Sequence, residues 1–190
     1  NRNHNKRTSK TRILVMYFNS FPVILYDSKG DDNFKIVTNL LRRVAIRTKV
    51  KANTALFDTY EVREGESPES IAWKLYGDVD YHWIVLMMND ITDRYHEWPL
   101  STPQFLSFLN EKYSDPNGTH HYEISQTSGE TTTKINIGDS NADYPVATEI
   151  TNFEYEESEQ NKKRQIRLLD PRYVGKFTEE FKLIMAESSI

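Results

Sequence analysis

Several residue sets in this chain could do chemistry, and their spacing decides what each could do. There are 28 Asp and Glu side chains, and glycoside hydrolysis needs two carboxylates facing each other across a groove. None of the acids sits in a recognisable catalytic setting, so hydrolysis is not expected. Five histidines are present. His120 and His121 are neighbours in a stretch that reads as a strand, so they should face opposite sides and not share an ion. Asp93, His96 and Glu97 in "TDRYHEW" are ligand-type residues in a loop, but no HExxH motif is present. Hydrogen-bonded loop side chains are the expected reading. The chain has no Cys, which excludes a disulfide scaffold, a Cys-ligated zinc and a Cys nucleophile. No GxSxG, Walker or GxGxxG motif occurs, and 7 Gly in all leave little for a glycine-lined phosphate loop. No catalytic residue, metal or cofactor is expected.

What the chain does concentrate is aromatic surface. Trp73, Tyr76, Tyr81, Trp83, Tyr95 and Trp98 crowd one stretch. Such density can make a sugar-stacking platform or a protein interface, where Tyr and Trp are enriched. Trp83, inside the apolar run "WIVLMM", is expected in the core, and Trp73 or Trp98 at an interface. The net charge of −4 gives no case for nucleic acid. The basic clusters, the head "NRNHNKRTSKTR", Arg42-Arg43 and "NKKRQIR", are short and followed by acidic sequence. Hydrophobic residues make up 37%, below the usual ~45–50%, so a modest core with much partner-facing surface is expected. The most apolar run, Ile13 to Tyr26, is shorter than the ~20 residues a membrane span needs. Basic head plus apolar run is like a signal peptide, but a turn cluster, "DSKGDDN", follows where a small-residue cleavage site would stand. A flexible tail before a buried strand is expected, with no membrane association.

The elements that must position these residues follow from period and punctuation. Ile13–Phe18 and Val23–Tyr26 read as strands around Pro22, and "DSKGDDN" as a turn. "TNLLRRVAI" is either a short helix capped by Thr38 or an extended arm. Leu56 to Val62 alternates as a half-buried strand. Gly65 turns the chain, Ser67 and Pro68 open a helix, and Gly77 closes it. Asp80 is expected to cap a second helix, which Asn89 and Asp90 end. Thr102-Pro103 opens a third. After the turn "SDPNG", "HHYEIS" and "TKINI" read as a hairpin joined by "QTSGETT". "TNFEYEESEQNKKR" runs from acidic to basic, as a helix or a solvated linker. "RQIRLL" reads as a strand, and Asp170-Pro171 starts a last helix with Tyr173, Phe177, Phe181 and Ile184 as its apolar stripe.

Two resemblances rest on these residues. Tyr60–Asn89 resembles a LysM module: "YEV", a Gly-Glu-Ser turn, the "SIAWKLYG" helix and a second helix ending at Asn89. It departs afterwards, where "NDITDRYHEWPLSTPQF" stands in place of the usual closing proline and strand. That resemblance implies a sugar groove at Gly65, Glu66, Ser67, Asn89 and Asp90. A broader resemblance covers nearly the whole chain. "LYGDVDYHWIVLMMNDITDRYHEWPLS" and "KRQIRLLDPRYVGKFTEEFKLIM" are similar to the baseplate wedge protein 53 family of contractile-tailed, T-even-like phages. The matching positions are Tyr76-Gly77, His82-Trp83, Ile84–Met88, Asn89-Asp90, Trp98 and the Arg-Gln-Ile strand.

This second resemblance implies a virion role without catalysis, in a tail baseplate assembled in the host cytoplasm. The chain would clamp neighbouring wedge subunits around the hub. Partners would be wedge-core subunits, a lysozyme-like sheath initiator and copies in adjacent wedges. The alternative is a LysM-type binder of peptidoglycan or chitin. The expected fold is α+β: a LysM-like βααβ core with an extended N-terminal arm, an inserted β-hairpin and a C-terminal strand-helix unit. Expected boundaries are a basic tail 1–12, an arm 13–55, the core plus following helix 56–113, the hairpin and loop 114–150, and the C-terminal region 151–190. Candidate interface residues are Tyr17, Phe18, Phe21, Trp73, Tyr76, Trp98, Tyr173 and Phe177.

Overall fold

A computed structural model describes residues 17–47, 50, 52–126 and 133–187. The basic tail, most of the strand expected over Ile13–Phe18 and most of the "QTSGETT" loop lie outside them. The chain is mixed α+β and forms two compact units. One is drawn from Asn1–Asp58, Ser67–Met88 and Leu169–Ile190, the other from Thr59–Glu66 and Asn89–Leu168. No helix among the described residues is long and apolar enough to cross a membrane.

The first unit opens with a 3-10 turn, Tyr17–Ser20. Tyr17 and Phe18 are thus in a turn and not the expected strand. Closing that turn, by a bond from the Phe21 amide to the Phe18 carbonyl, brings Tyr17 onto Phe21, Trp83 and Phe181. Strands β1 (Val23–Tyr26) and β2 (Lys35–Thr38) then form an antiparallel ribbon. Its turn is built by Asp27, whose carboxylate accepts from the amides of Lys29, Gly30 and Asp32. Thr38 ends a strand and caps no helix, and residues 42–47 have no regular structure; of the two readings of "TNLLRRVAI", the extended one holds.

Strand β3 (Phe57–Glu61) leads toward helix α1 (Pro68–Tyr76). The α1 N-terminus is closed by a reciprocal Ser67–Ser70 box, with Pro68 at its first position. Gly77 stops the helix in the left-handed region, φ 74°, where a side chain would be strained. A 3-10 turn, Val79–Tyr81, precedes helix α2 (His82–Met88), and its cap is Asp78 instead of the expected Asp80: the Asp78 carboxylate accepts from the Asp80 amide. Helix α2 is nearly all apolar, so it is buried on several sides. Trp83, Ile84 and Met88 join Phe21, Leu169, Val174, Phe181 and Met185 in one cluster. Tyr17, Val44 and Ile46 pack against it from the arm. The Trp83 indole N–H finds no oxygen or nitrogen partner and lies among the rings of Tyr17, Phe177 and Phe181.

The last helix of this unit is numbered α6 (Pro171–Glu187). Its buried line is Val174, Thr178, Phe181 and Met185, one position round from the expected Tyr173, Phe177, Phe181, Ile184 stripe. Tyr173 and Ile184 are exposed. Thr178 is a polar member of that buried line. Its hydroxyl is satisfied inside the helix by the Val174 carbonyl at 2.7 Å, so burial leaves nothing unpaired.

The second unit holds α3 (Arg94–Glu97), α4 (Thr102–Lys112), β4 (Thr119–Ser125), β5 (Lys134–Asn136), β6 (Thr148–Thr151) and α5 (Asn152–Arg164). Ser101 is the α4 cap, closed by a box with Gln104; the expected Thr102 is already helical. The hairpin of β4 and β5 has a third strand, β6, on the other edge of β4. Helix α5 settles "TNFEYEESEQNKKR" as helix, with a Thr151–Glu154 box at its start. Strand β7 (Gln165–Leu169) pairs with β3. Bonds Val62–Arg164 and Asp170–Leu56 bracket the pair, so the two run antiparallel.

Candidate interaction site

The exposed apolar surface centres on the β1–β2 ribbon. Register places Val23 opposite Thr38 and Leu25 opposite Ile36. Alternation therefore gathers Val23, Leu25, Ile36 and Thr38 on one face. Their apolar members are 67%, 67% and 74% exposed. The other face carries Ile24, Val37 and Tyr26, also exposed. Beyond the ribbon, Leu40 and Leu41 are open to solvent, Leu41 at 93%. A lone two-stranded hairpin is marginal in water, and large exposed apolar patches are the surfaces on which partners dock in other proteins.

The other aromatic candidates divide. Phe18, Trp73 and Tyr173 present ring surface to solvent. Phe21 and Trp98 are buried in their own units, and Tyr17 and Phe177 pack on the first unit's core. The Tyr76 hydroxyl donates to the Leu169 carbonyl at 3.0 Å, and burial pushes its proton affinity far up. The Trp98 indole donates to the Glu66 carbonyl at 2.8 Å.

The sugar-groove candidates are engaged in holding backbone. In the second unit the Asn89 side chain donates to the Arg167 carbonyl and accepts from the Arg167 amide, both at 2.8 Å. That closes the outer edge of β7. The Glu66 carboxylate accepts from the Tyr60 hydroxyl at 2.8 Å and the Arg63 amide at 2.9 Å. Gly65 and Asp90 take left-handed turns, φ 71° and 59°. In the first unit, Ser67 caps α1. An open cleft of about 430 Å³ lies beside Asn89, Asp90, Glu97, Lys162, Lys163 and Gln165. Lys163 donates to the His96 carbonyl and Lys162 to Glu159.

The loop acids are also occupied. Asp93 accepts from the Tyr95 amide and from His96 Nδ1, 2.5 Å away. Glu97 accepts from the Thr92 and Asp93 amides at 2.6 and 2.9 Å. His96, through its bond, holds the Asp93 carboxyl below its usual range, and the backbone amides of Asp93 and Thr92 do the same for Glu97. Asp27, Glu64, Glu154, Glu156 and Asp170 are likewise held below the ordinary carboxylate range by the donors that bond them. No group of three or more His, Cys, Asp or Glu among the described residues is arranged to hold a metal.

One expectation fails in an informative way. His120 and His121 do not face opposite sides: their Nδ1 atoms lie 2.8 Å apart. The cause is a register shift in the β4–β6 pairing between Thr119 and His121, a pairing between segments distant in sequence.

Residues 16–184 match the family described as Base plate wedge protein 53. Baseplate wedge protein gp53 of Enterobacteria phage T4 is 24% identical over 145 residues, covering 68% of this chain and 74% of that protein. This match places the chain among the structural components of a phage tail baseplate. The chain belongs to the Base plate wedge protein 53 family.

Proposed function

We propose that this chain is a non-enzymatic clamp, joining neighbouring wedge subunits around the baseplate hub through its β1–β2 ribbon. The observation that carries the reading is the open face of Val23, Leu25 and Ile36. Each such side chain gains about 1.5–3 kcal/mol on moving from water into a partner. Three together offset part of the association cost, which is ~4–15 kcal/mol. Phe18, Trp73 and Tyr173 supply further aromatic surface, so several modest contacts on one chain would act together as a multivalent staple. The partners are other wedge proteins: wedge-core subunits, a lysozyme-like sheath initiator and copies in adjacent wedges, met during assembly in the host cytoplasm.

The test is assembly in vitro with purified wedge proteins, followed by sedimentation. Leu25→Glu and Ile36→Glu should leave the chain folded and monomeric while weakening its incorporation by about tenfold or more each, since 1.4 kcal/mol is a factor of ten. Full incorporation of the double variant would sink the proposal. Saturable binding of chitooligosaccharide by the isolated chain would instead favour the LysM-type reading.

A further inference from the structure

His120 and His121 stand at a β-bulge. Thr119 pairs with Thr151 and His121 with Ile150, so His120 is the extra residue of β4. The bulge turns both imidazoles to one place, with centroids 5.0 Å apart. Two ring nitrogens 2.8 Å apart need one N–H and one lone pair between them. The hydrogen-bond network assigns which is which. His121 Nε2 faces Glu123 Oε1 at 3.1 Å, so Nε2 holds the hydrogen and Nδ1 accepts. His120 Nδ1 is then the donor.

The pair is packed on α5. The His120 ring stacks on Tyr155, centroids 3.9 Å apart and planes within 9°. His121 meets the same ring edge-on and is itself buried. The charged and titratable neighbours are Glu123 on β4, Lys112 and Tyr113 at the end of α4, Glu149 on β6, and Tyr155 and Glu156 on α5. Glu149 is taken by the Thr119 hydroxyl. Glu156 is taken by Lys112 Nζ at 2.6 Å and the Tyr113 hydroxyl at 2.7 Å.

We propose that the two histidines form a proton-operated latch between the β4 bulge and α5, closed with no added proton or one and opened by the second. The neutral pair has a single hydrogen between the two Nδ1 atoms. One added proton, on His120 Nε2, leaves that bond intact. A second must go to His121 Nδ1, where it faces the His120 N–H. The rings must then part, and His120 leaves Tyr155. Burial and the neighbouring His121 already hold His120 below the ordinary histidine range, in agreement with a site that resists charging.

The sign follows from linkage. Once the rings have parted, each has room to carry its own proton. Where both open rings are charged, the open state binds at least one proton more than the closed one, so closure weakens as pH falls, by about tenfold or more per pH unit.

Amide hydrogen exchange of the full chain, corrected for intrinsic rates, reads this directly. Between about pH 7 and 5, amides of β4 and α5 should lose protection while those of α1 and α2 keep theirs. His120→Phe keeps a ring on Tyr155 but removes the nitrogen pair, so its β4 and α5 protection should be flat over the same range. If that variant does not fold, imidazole 15N spectra of the unaltered chain still decide. They should show hydrogen on His120 Nδ1 and His121 Nε2 at neutral pH, and two separated titration steps. Two histidines titrating independently near about pH 6.5, or wild-type protection that does not change with pH, would overturn the proposal.

Discussion

Glu156 is the side chain in the second unit with most at stake. It is 7% exposed at the side chain and charged, a combination that needs full pairing. Burial alone would raise its proton affinity, but Lys112 and Tyr113 outweigh that and hold the carboxyl below its usual range. Tyr113→Phe removes a neutral donor to a charged acceptor and should cost about 1.5–3 kcal/mol by urea unfolding near neutral pH. Because the folded value lies below the ordinary 4.5, the pairing adds stability above that pH and loses it as pH falls through the folded value. The Tyr113→Phe deficit should therefore shrink in acid, and a deficit that grows on acidification would exclude this account. Gly77 is a second residue with a defined cost. An added Cβ meets nothing within 4 Å, so Gly77→Ala should lose only the left-handed penalty, about 1–2 kcal/mol, with unchanged near-ultraviolet circular dichroism.

Elements with local causes were legible in the sequence. The α1 helix was readable at both ends because Ser67, Pro68 and Gly77 act on their own neighbours. The cap ahead of α2 was misplaced by two residues because "GDVDYH" contains two acids able to cap, and Asp78 is the one that opens the 3-10 turn. The β4–β5 hairpin was readable from its flanks. Strand β6 and the His120 bulge were not, since both arise from pairing with a distant segment. The aromatic density around Trp73 and Trp98 was plain, but burial of Trp98 depends on the Glu66 carbonyl. The open ribbon was half visible: "VILY" was read as a strand, but its pairing with "KIVT" was not. Asn89 was read as a helix end and groove residue, yet it closes the edge of β7. Asn89→Ala removes two bonds to Arg167, each worth about 0.5–1.5 kcal/mol. The Arg167 amide should exchange faster in that variant than any amide of α1, and an unchanged rate there would show that the edge is held by other contacts.

At the scale of the whole molecule, two sets of apolar residues stand in opposite surroundings. One is the sealed cluster of the first unit, where Met185 and Ile84 are fully buried. The other is the ribbon, where Leu25 and Ile36 face water. Substitution should separate them. Met185→Ala leaves a cavity and should cost about 2–5 kcal/mol, a large part of the ~5–15 kcal/mol that holds a typical domain folded. Its melting temperature and its abundance in infected cells should both fall. Leu25→Glu places a charge where the chain already meets solvent, so stability should move by less than about 0.5 kcal/mol. Particles made with Leu25→Glu as the sole copy should nonetheless lack complete baseplates, while those made with Met185→Ala should recover at lower temperature. If the Leu25→Glu chain melts as early as Met185→Ala, the ribbon is part of the chain's own core and the clamp loses its main contact. If it melts normally and assembles normally, the face serves no baseplate partner. A normal melt with failed assembly is the outcome expected of a surface whose cover is another protein.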